Sequence, residues 1–372
     1  MKHILSFKFY YNWWKNVDKL ILSTILLLFF LGLFFSLAST SLIASDKLNT
    51  NSYYFFYKHF AYIFLGLVFI LFFSSINQDL LFKISWLFFF TFLIFLILVP
   101  IIGVEVKGSK RWIDIGMLPR FQPIEILKPF YVISLALILC SERIKNKLLL
   151  YLISFVFILP IIFLLLKQPD IGQTLLITIT WFSLIFISGI NLVVFSTLLF
   201  AASLILILLI LLVPRFYYIR DRIGSFFDIS NYSNTFQSDK ASEAIISGGF
   251  FGRGIGEGVL KNRVPEAHTD YIIAVISEEF GIIVIVLLML IFLFLIYIIL
   301  KRLALENENK IKLALTGLIT LISLQILIHI GVNIRMFPTT GMTLPFLSYG
   351  GSSIIGTSII TGVILNLTKR KL

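Results

Sequence analysis

Apolar residues along this chain gather in blocks of about 20, divided by short polar breaks, the length that a helix needs to cross a bilayer core of roughly 30 Å. The pattern predicts ten spans, near residues 20–43, 54–73, 80–102, 122–139, 148–166, 171–188, 192–213, 270–300, 313–334 and 346–367. An even number returns both termini to one side. The run at 270–300 exceeds the bilayer, so it tilts or projects. One polar interval, 214–269, is far longer than the rest. The expected fold is all-α, a polytopic integral membrane protein with about ten transmembrane helices and one long extracytoplasmic loop. Its expected units are a tail at 1–19, a membrane domain at 20–367 and a tail at 368–372.

Composition agrees with the pattern: 59% of the 372 residues are hydrophobic, and the mean hydropathy is +1.00. The 39 phenylalanines read as lipid-facing and packing bulk. The first apolar run is too long for a signal-peptide core and lacks a small-residue cleavage pattern after it, so it reads as a retained helix. Cys140 stands alone, which excludes an intramolecular disulfide or a thiolate metal cluster, and the four histidines lack ligand spacing. The net charge of +12 is spread over interhelical loops, which points to lipid headgroups and excludes a nucleic-acid module.

With the termini inside, the short inner loops and tails hold Lys15, Lys19, Arg143, Lys145, Lys147, Lys301, Arg302, Lys369, Arg370 and Lys371. Positive-inside bias therefore predicts cytoplasmic termini. Two outer segments stay cationic against that bias, 103–121, with Lys107, Lys110, Arg111 and Arg120, and 214–269. Headgroup anchoring explains them, and so does a task at the outer face.

Candidate chemistry collects where the long loop meets the eighth span, at Pro265-Glu266-Ala267-His268-Thr269-Asp270. Taken singly, Asp270 reads as the helix N-cap. Its company argues for more: Glu278 and Glu279 follow in the same span, and Glu278 falls about 12 Å below Asp270, too deep to reach water easily. Glu125 and Lys128 form an i,i+3 pair at the start of the fourth span, while His329, Asn333 and Arg335 lie near the outer end of the ninth. Charges on at least three spans predict a polar cavity open to the outer face.

Three other motifs read mainly as structural. Asp170 with Gln173 has capping-box spacing. Ser348, Ser352 and Gly356 form a small-residue packing seam. The glycine-rich run from Gly252 to Gly258 has no preceding strand and so is no dinucleotide loop. It reads either as a flexible turn or, with Arg253, Lys261 and Arg263, as a source of amides and cations for a phosphate.

Five motifs in order carry a resemblance: Gly108-Ser109-Lys110-Arg111-Trp112; Phe121-Gln122-Pro123-Ile124-Glu125 with Lys128; Gln168-Pro169-Asp170-Ile171-Gly172; Pro265 through Asp270 with Glu278-Glu279; and Leu344 through Ser353. From about residue 20 to 367 the chain resembles the SEDS (shape, elongation, division and sporulation) family of peptidoglycan polymerases. It is more similar to the division branch than to the elongation branch, and the segments at 250–258 and 341–343 resemble alphaproteobacterial division members. Ile124 and Tyr271 depart from the usual serine and phenylalanine.

The resemblance implies a glycosyltransferase that joins lipid II into β-1,4 glycan at the outer face of the inner membrane and releases undecaprenyl pyrophosphate. Asp270 matches the essential aspartate, as general base or as ligand of a divalent cation, magnesium or manganese; no organic cofactor is implied. Substrate contacts are expected from Lys110, Arg111, Trp112, Gln122, Glu125, Lys128, His268, Glu278 and Ser348, with support from Asp170 and Glu279. Lys110, Arg111 and Lys128 are the expected cations for the leaving pyrophosphate, and Glu278 is expected to orient them. Implied partners are lipid II, the nascent glycan strand, a class B penicillin-binding protein that acts as transpeptidase, other division-complex proteins and the membrane. The competing readings are the same reaction in side-wall elongation, a lipid II transporter, and a scaffold role added to the enzyme.

Overall fold

A computed structural model of the protein describes residues 11, 13–37, 53–106, 109–116, 119–217, 220, 224 and 232–369. Residues 38–43 of the first expected span, Lys107, Gly108, most of the N-terminal tail, Arg370, Lys371 and part of the 214–269 loop lie outside them, as does the Lys261 side chain. Each expected span coincides with a helix: α1 (Lys19–Phe35), α2 (Tyr54–Ser75), α3 (Gln78–Ile102), α4 (Pro123–Leu139), α5 (Lys147–Lys167), α6 (Ile171–Ile187) and α7 (Leu192–Leu212). The long loop adds α8 (Tyr232–Gly248), and then come α9 (Ile272–Leu305), α10 (Asn309–Asn333) and α11 (Gly351–Leu367). By length and composition α2, α3, α5, α7, α9 and α10 suit a membrane crossing, and α1, α6 and α11 are shorter apolar helices. The protein is an all-α polytopic membrane protein.

Local chemistry fixes several helix starts. Asp18 caps α1 by accepting from the amides of Leu20 (3.0 Å) and Ile21 (3.3 Å), so it belongs to the helix rather than to the expected tail. Asn146 and Asn191 cap α5 and α7 in the same way, and Pro123 opens α4, where its missing N–H costs nothing. Burial then sorts the helices. In α4 fourteen of seventeen residues are buried, and α11, packed against α2 and α4, is almost wholly enclosed. By contrast α7 is apolar on every face and buries no residue, as suits a helix surrounded by lipid.

Two features were not legible from hydropathy. Segment 103–121, expected as a loop, forms an antiparallel hairpin of β1 (Val104–Val106) and β2 (Ser109–Trp112), closed by a bridge between Ile113 and Phe121 that returns the chain to α4. Helix α9 is not continuous: Gly281 has φ 81° and ψ 173°, a conformation open almost only to glycine. The groups freed by the break are satisfied by the loop after α8. Arg253 N–H donates to Glu278 O (2.9 Å) and Gly254 N–H to Glu279 O (3.1 Å), while Ile282 N–H donates to Gly249 O (2.9 Å). This interlock seats the loop deep against α9.

Candidate active site

The site is built outward from a tight turn. Glu266 has φ 53°, and its carbonyl oxygen accepts from the amides of Thr269 (3.0 Å), Asp270 (3.1 Å) and Tyr271 (3.3 Å). The turn is held from two sides. Ser348 Oγ donates to Thr269 O (2.7 Å) and Tyr349 N–H to His268 O (3.0 Å), while Asn333 Nδ2, on α10, donates to Asp270 O (3.0 Å). Asp270 thus stands one residue before the true cap of α9, Tyr271, and the N-cap expectation is corrected.

The turn forms one wall of a cavity of about 380 Å³. The hairpin supplies Arg111 and Trp112 to it, the start of α4 supplies Gln122 and Glu125, the α5–α6 link and first turn of α6 supply Asp170 and Gln173, and the chain before α11 supplies Thr339 through Thr343 with Tyr349. At the centre of this last segment is Gly341, at φ 71°. A methyl group there would lie 3.6 Å from Asp270 Oδ2 and 4.0 Å from Arg111 Nη1. A carboxylate and a guanidinium therefore both border the small space over Gly341.

Behind the surface runs a continuous polar chain. Arg111 donates to the carbonyls of Gln168 (3.3 Å) and Pro169 and pairs with Asp170 Oδ1 at 3.6 Å. Asp170 also accepts from Gln122 Nε2 (3.0 Å) and from the Gln173 amide (3.3 Å). Burial pushes the Asp170 carboxyl above its usual range, and the Arg111 guanidinium opposes that push. The expected cap is present, but the Gln173 side chain does not complete a capping box: it donates to Glu125 Oε1 (2.5 Å). Glu125 Oε2 then meets Lys128 Nζ at 2.8 Å, and Lys128 donates onward to Gln325 Oε1 (3.2 Å).

Asp270, expected as the catalytic residue, and Arg111, Trp112, Gln122 and Glu125, expected as substrate contacts, line the cavity, and so does Asp170, expected only to support it. The others are placed differently. Lys110 is exposed on β2 and Lys128 lies behind Glu125, its ammonium engaged by the carboxylate, so neither faces the space beside Asp270. His268 packs its ring against Phe55 (5.4 Å) and Tyr349 (5.9 Å). Ser348 is occupied by the turn and by the Leu344 amide (2.9 Å), and it precedes α11, so the expected helical seam begins at Ser352.

Glu278 and Glu279 accept from the amides of Leu260 (2.8 Å) and Gly256 (3.2 Å), away from the cavity. The expectation that Glu278 orients cavity cations is corrected: its carboxylate ties down the glycine-rich loop. Those loop amides are accordingly spent inside the protein and not held ready for a phosphate. Gln325 was not singled out by the sequence, Gln173 only for a capping box that it does not complete, and Gly341 and Thr343 only within a segment of family resemblance, since neutral amides, a glycine and a threonine carry little signal within apolar surroundings.

The comparisons with known proteins fit this geometry. The profile of the FtsW/RodA/SpoVE family, described as cell cycle proteins, matches residues 18–371. The chain is 31% identical to the probable peptidoglycan glycosyltransferase FtsW of Caulobacter vibrioides, over 96% of this chain and 91% of that protein. It is 36% identical to the protein of the same name from Coxiella burnetii, over 89% and 90%. Among solved structures, a chain from a peptidoglycan synthase complex that coordinates polymerization and crosslinking superposes with a TM-score of 0.80 at 25% identity, covering 95% of this chain and 97% of that one. The rod shape determining protein RodA of Thermus thermophilus shares the fold, with a TM-score of 0.69 at 23% identity over 95% and 96%. The chain belongs to the FtsW/RodA/SpoVE family.

Proposed function

We propose that the protein is a peptidoglycan glycosyltransferase of the division type, which polymerises lipid II into β-1,4 glycan strands at the outer face of the inner membrane. The observation that carries this reading is that Asp270 Oδ2 and Arg111 Nη1 both border the space over Gly341 in one cavity. A sugar 4-hydroxyl is a weak nucleophile, and a carboxylate in hydrogen-bond reach takes its proton as the oxygen attacks the anomeric carbon. The new bond joins O4 to C1, the bond from C1 to the pyrophosphate oxygen breaks, and undecaprenyl pyrophosphate leaves with its added negative charge beside Arg111. Trp112 offers a flat apolar face at the same wall.

Among the described residues no group of three or more His, Cys, Asp or Glu side chains is arranged to hold a metal. Asp270, among the carboxylates at the cavity, would suit magnesium or manganese, ions held by one or two carboxylates together with substrate phosphates and water. Were such an ion bound, Asp270 would hold it in place of acting as the base, and the ion would supply charge neutralisation to the pyrophosphate. The chain works beside a class B penicillin-binding protein and other division-complex proteins at the septum, with cytoplasmic tails at 1–19 and 368–372 flanking the 20–367 membrane domain.

The test is incorporation of labelled lipid II into glycan by the purified protein with its crosslinking partner. Asp270→Asn is expected to lower the rate by about 10²–10⁴-fold, the span of a lost general base. Full polymerisation by that variant would remove Asp270 from the chemistry.

A further inference from the structure

Gln325 sits in the middle of α10, 3% exposed, and both ends of its amide are engaged. Its Oε1 accepts from Lys128 Nζ (3.2 Å) on α4, and its Nε2 donates to Thr343 O (3.0 Å) in the segment that crosses the cavity. Thr343 is further fixed by its hydroxyl, which donates to Ser353 Oγ (2.6 Å) at the first turn of α11. One neutral side chain thus connects the buried Glu125–Lys128 pair to the strand of backbone carrying Gly341. A neutral amide does both at once at any pH. Lysine and arginine only donate, and ionised glutamate only accepts.

We infer that Gln325 is a positioning residue of the polymerising site: by anchoring Thr343 to Lys128 it holds the 339–343 segment at the height that leaves the gap between Asp270 and Arg111. It touches neither group, so its effect passes through the backbone at Gly341. His329, one turn further along α10, anchors the same segment with Nδ1 2.7 Å from Met342 O, and Gln325 fixes the next residue, two places from Gly341 at φ 71°. A shift of about 1 Å in this backbone would close the gap or widen it beyond the reach of both groups, and misplacement on that scale costs on the order of 10²-fold in rate.

The inference rests on the polymerase reading, and the experiment separates their failures. Wild-type protein with its crosslinking partner is assayed for lipid II polymerisation between pH 5.5 and 8.5; no glycan at any pH would sink the polymerase reading itself. With wild-type activity established, Gln325→Glu is compared at each pH. Its carboxyl donates to Thr343 O only when protonated, with Lys128 and Glu125 the charged groups facing it. The ratio of variant to wild-type rate is therefore expected to be about 10-fold below unity at pH 8.5, one buried hydrogen bond at about 1.4 kcal/mol, and to rise as the pH falls. A packing role alone leaves the ratio flat, and a flat ratio overturns the inference. Gln325→Met, which keeps the volume and removes both bonds, is expected to lose about 10-fold at every pH. Should the glutamate variant not fold, full activity of the methionine variant overturns the inference on its own.

Discussion

Asp270 is held by its neighbours' main-chain bonds, and this makes its surroundings as testable as the carboxylate. Asn333 donates to the Asp270 carbonyl and to His329 O (2.9 Å) from a fully buried position. Asn333→Leu should leave that carbonyl unsatisfied, at about 1–3 kcal/mol, and cut polymerisation by about 10-fold or more while the protein stays monodisperse in detergent. An unchanged rate would show that the turn keeps Asp270 in place unaided. The aspartate was singled out by its company in the sequence: alone it reads as a helix cap, and the charges on other spans with the ordered motifs argue for more. Glu278 was legible as a buried acid but not as to its partner. That partner is the amide of Leu260, eighteen residues upstream on an irregular loop whose path no periodicity predicts. Gln325 was silent, and Gln173 spoke only as a capping-box partner, for another reason: an amide gains its role from what lies across the bundle, which a single chain of letters does not reveal.

Helix α9 shows the same limit at the scale of an element. Its apolar run was read as one span, and the hydropathy was right about the run, yet the break at Gly281 depends on backbone supplied by residues 249–254. A side chain at Gly281 would overlap the Phe250 carbonyl and the Gly252 amide, in addition to the strained dihedrals. Gly189, also at positive φ (86°), has open space where a side chain would go. Gly189→Ala should cost about 1 kcal/mol from backbone strain alone, and Gly281→Ala more than about 3 kcal/mol. Thermal unfolding in detergent measures both, and equal shifts in midpoint would deny the interlock. The hairpin at 104–112 escaped notice because four cations in a short loop resemble headgroup anchors. Its pairing places Arg111 inward and leaves Lys110 exposed.

Across the whole molecule, polar ties at the end away from the cavity secure helices distant in sequence. Asp18 Oδ2 accepts from Arg302 Nε (2.5 Å), joining the start of α1 to the end of α9, and Asn366 donates to Phe73 O (2.8 Å) and Ile76 O (2.6 Å), joining α11 to α2. A double-mutant cycle with Asp18→Asn and Arg302→Met should give a coupling of about 1 kcal/mol in unfolding free energy, modest because Arg302 is about a third exposed. Additive effects would mean that packing alone holds these ends. The ten-helix order was legible because a bilayer demands it of any chain, whereas the cavity is the product of pairings made after the helices have met. Those pairings leave an imbalance. Among the described residues, the cavity wall and the ion pair behind it set Arg111 and Lys128 against Glu125, Asp170, Glu266 and Asp270. On the proposed reading, the leaving pyrophosphate would bring two more negative charges to a wall whose carboxylates are already partnered within the protein, and a polymerisation rate that varied with the divalent salt of the assay would be the sign of it.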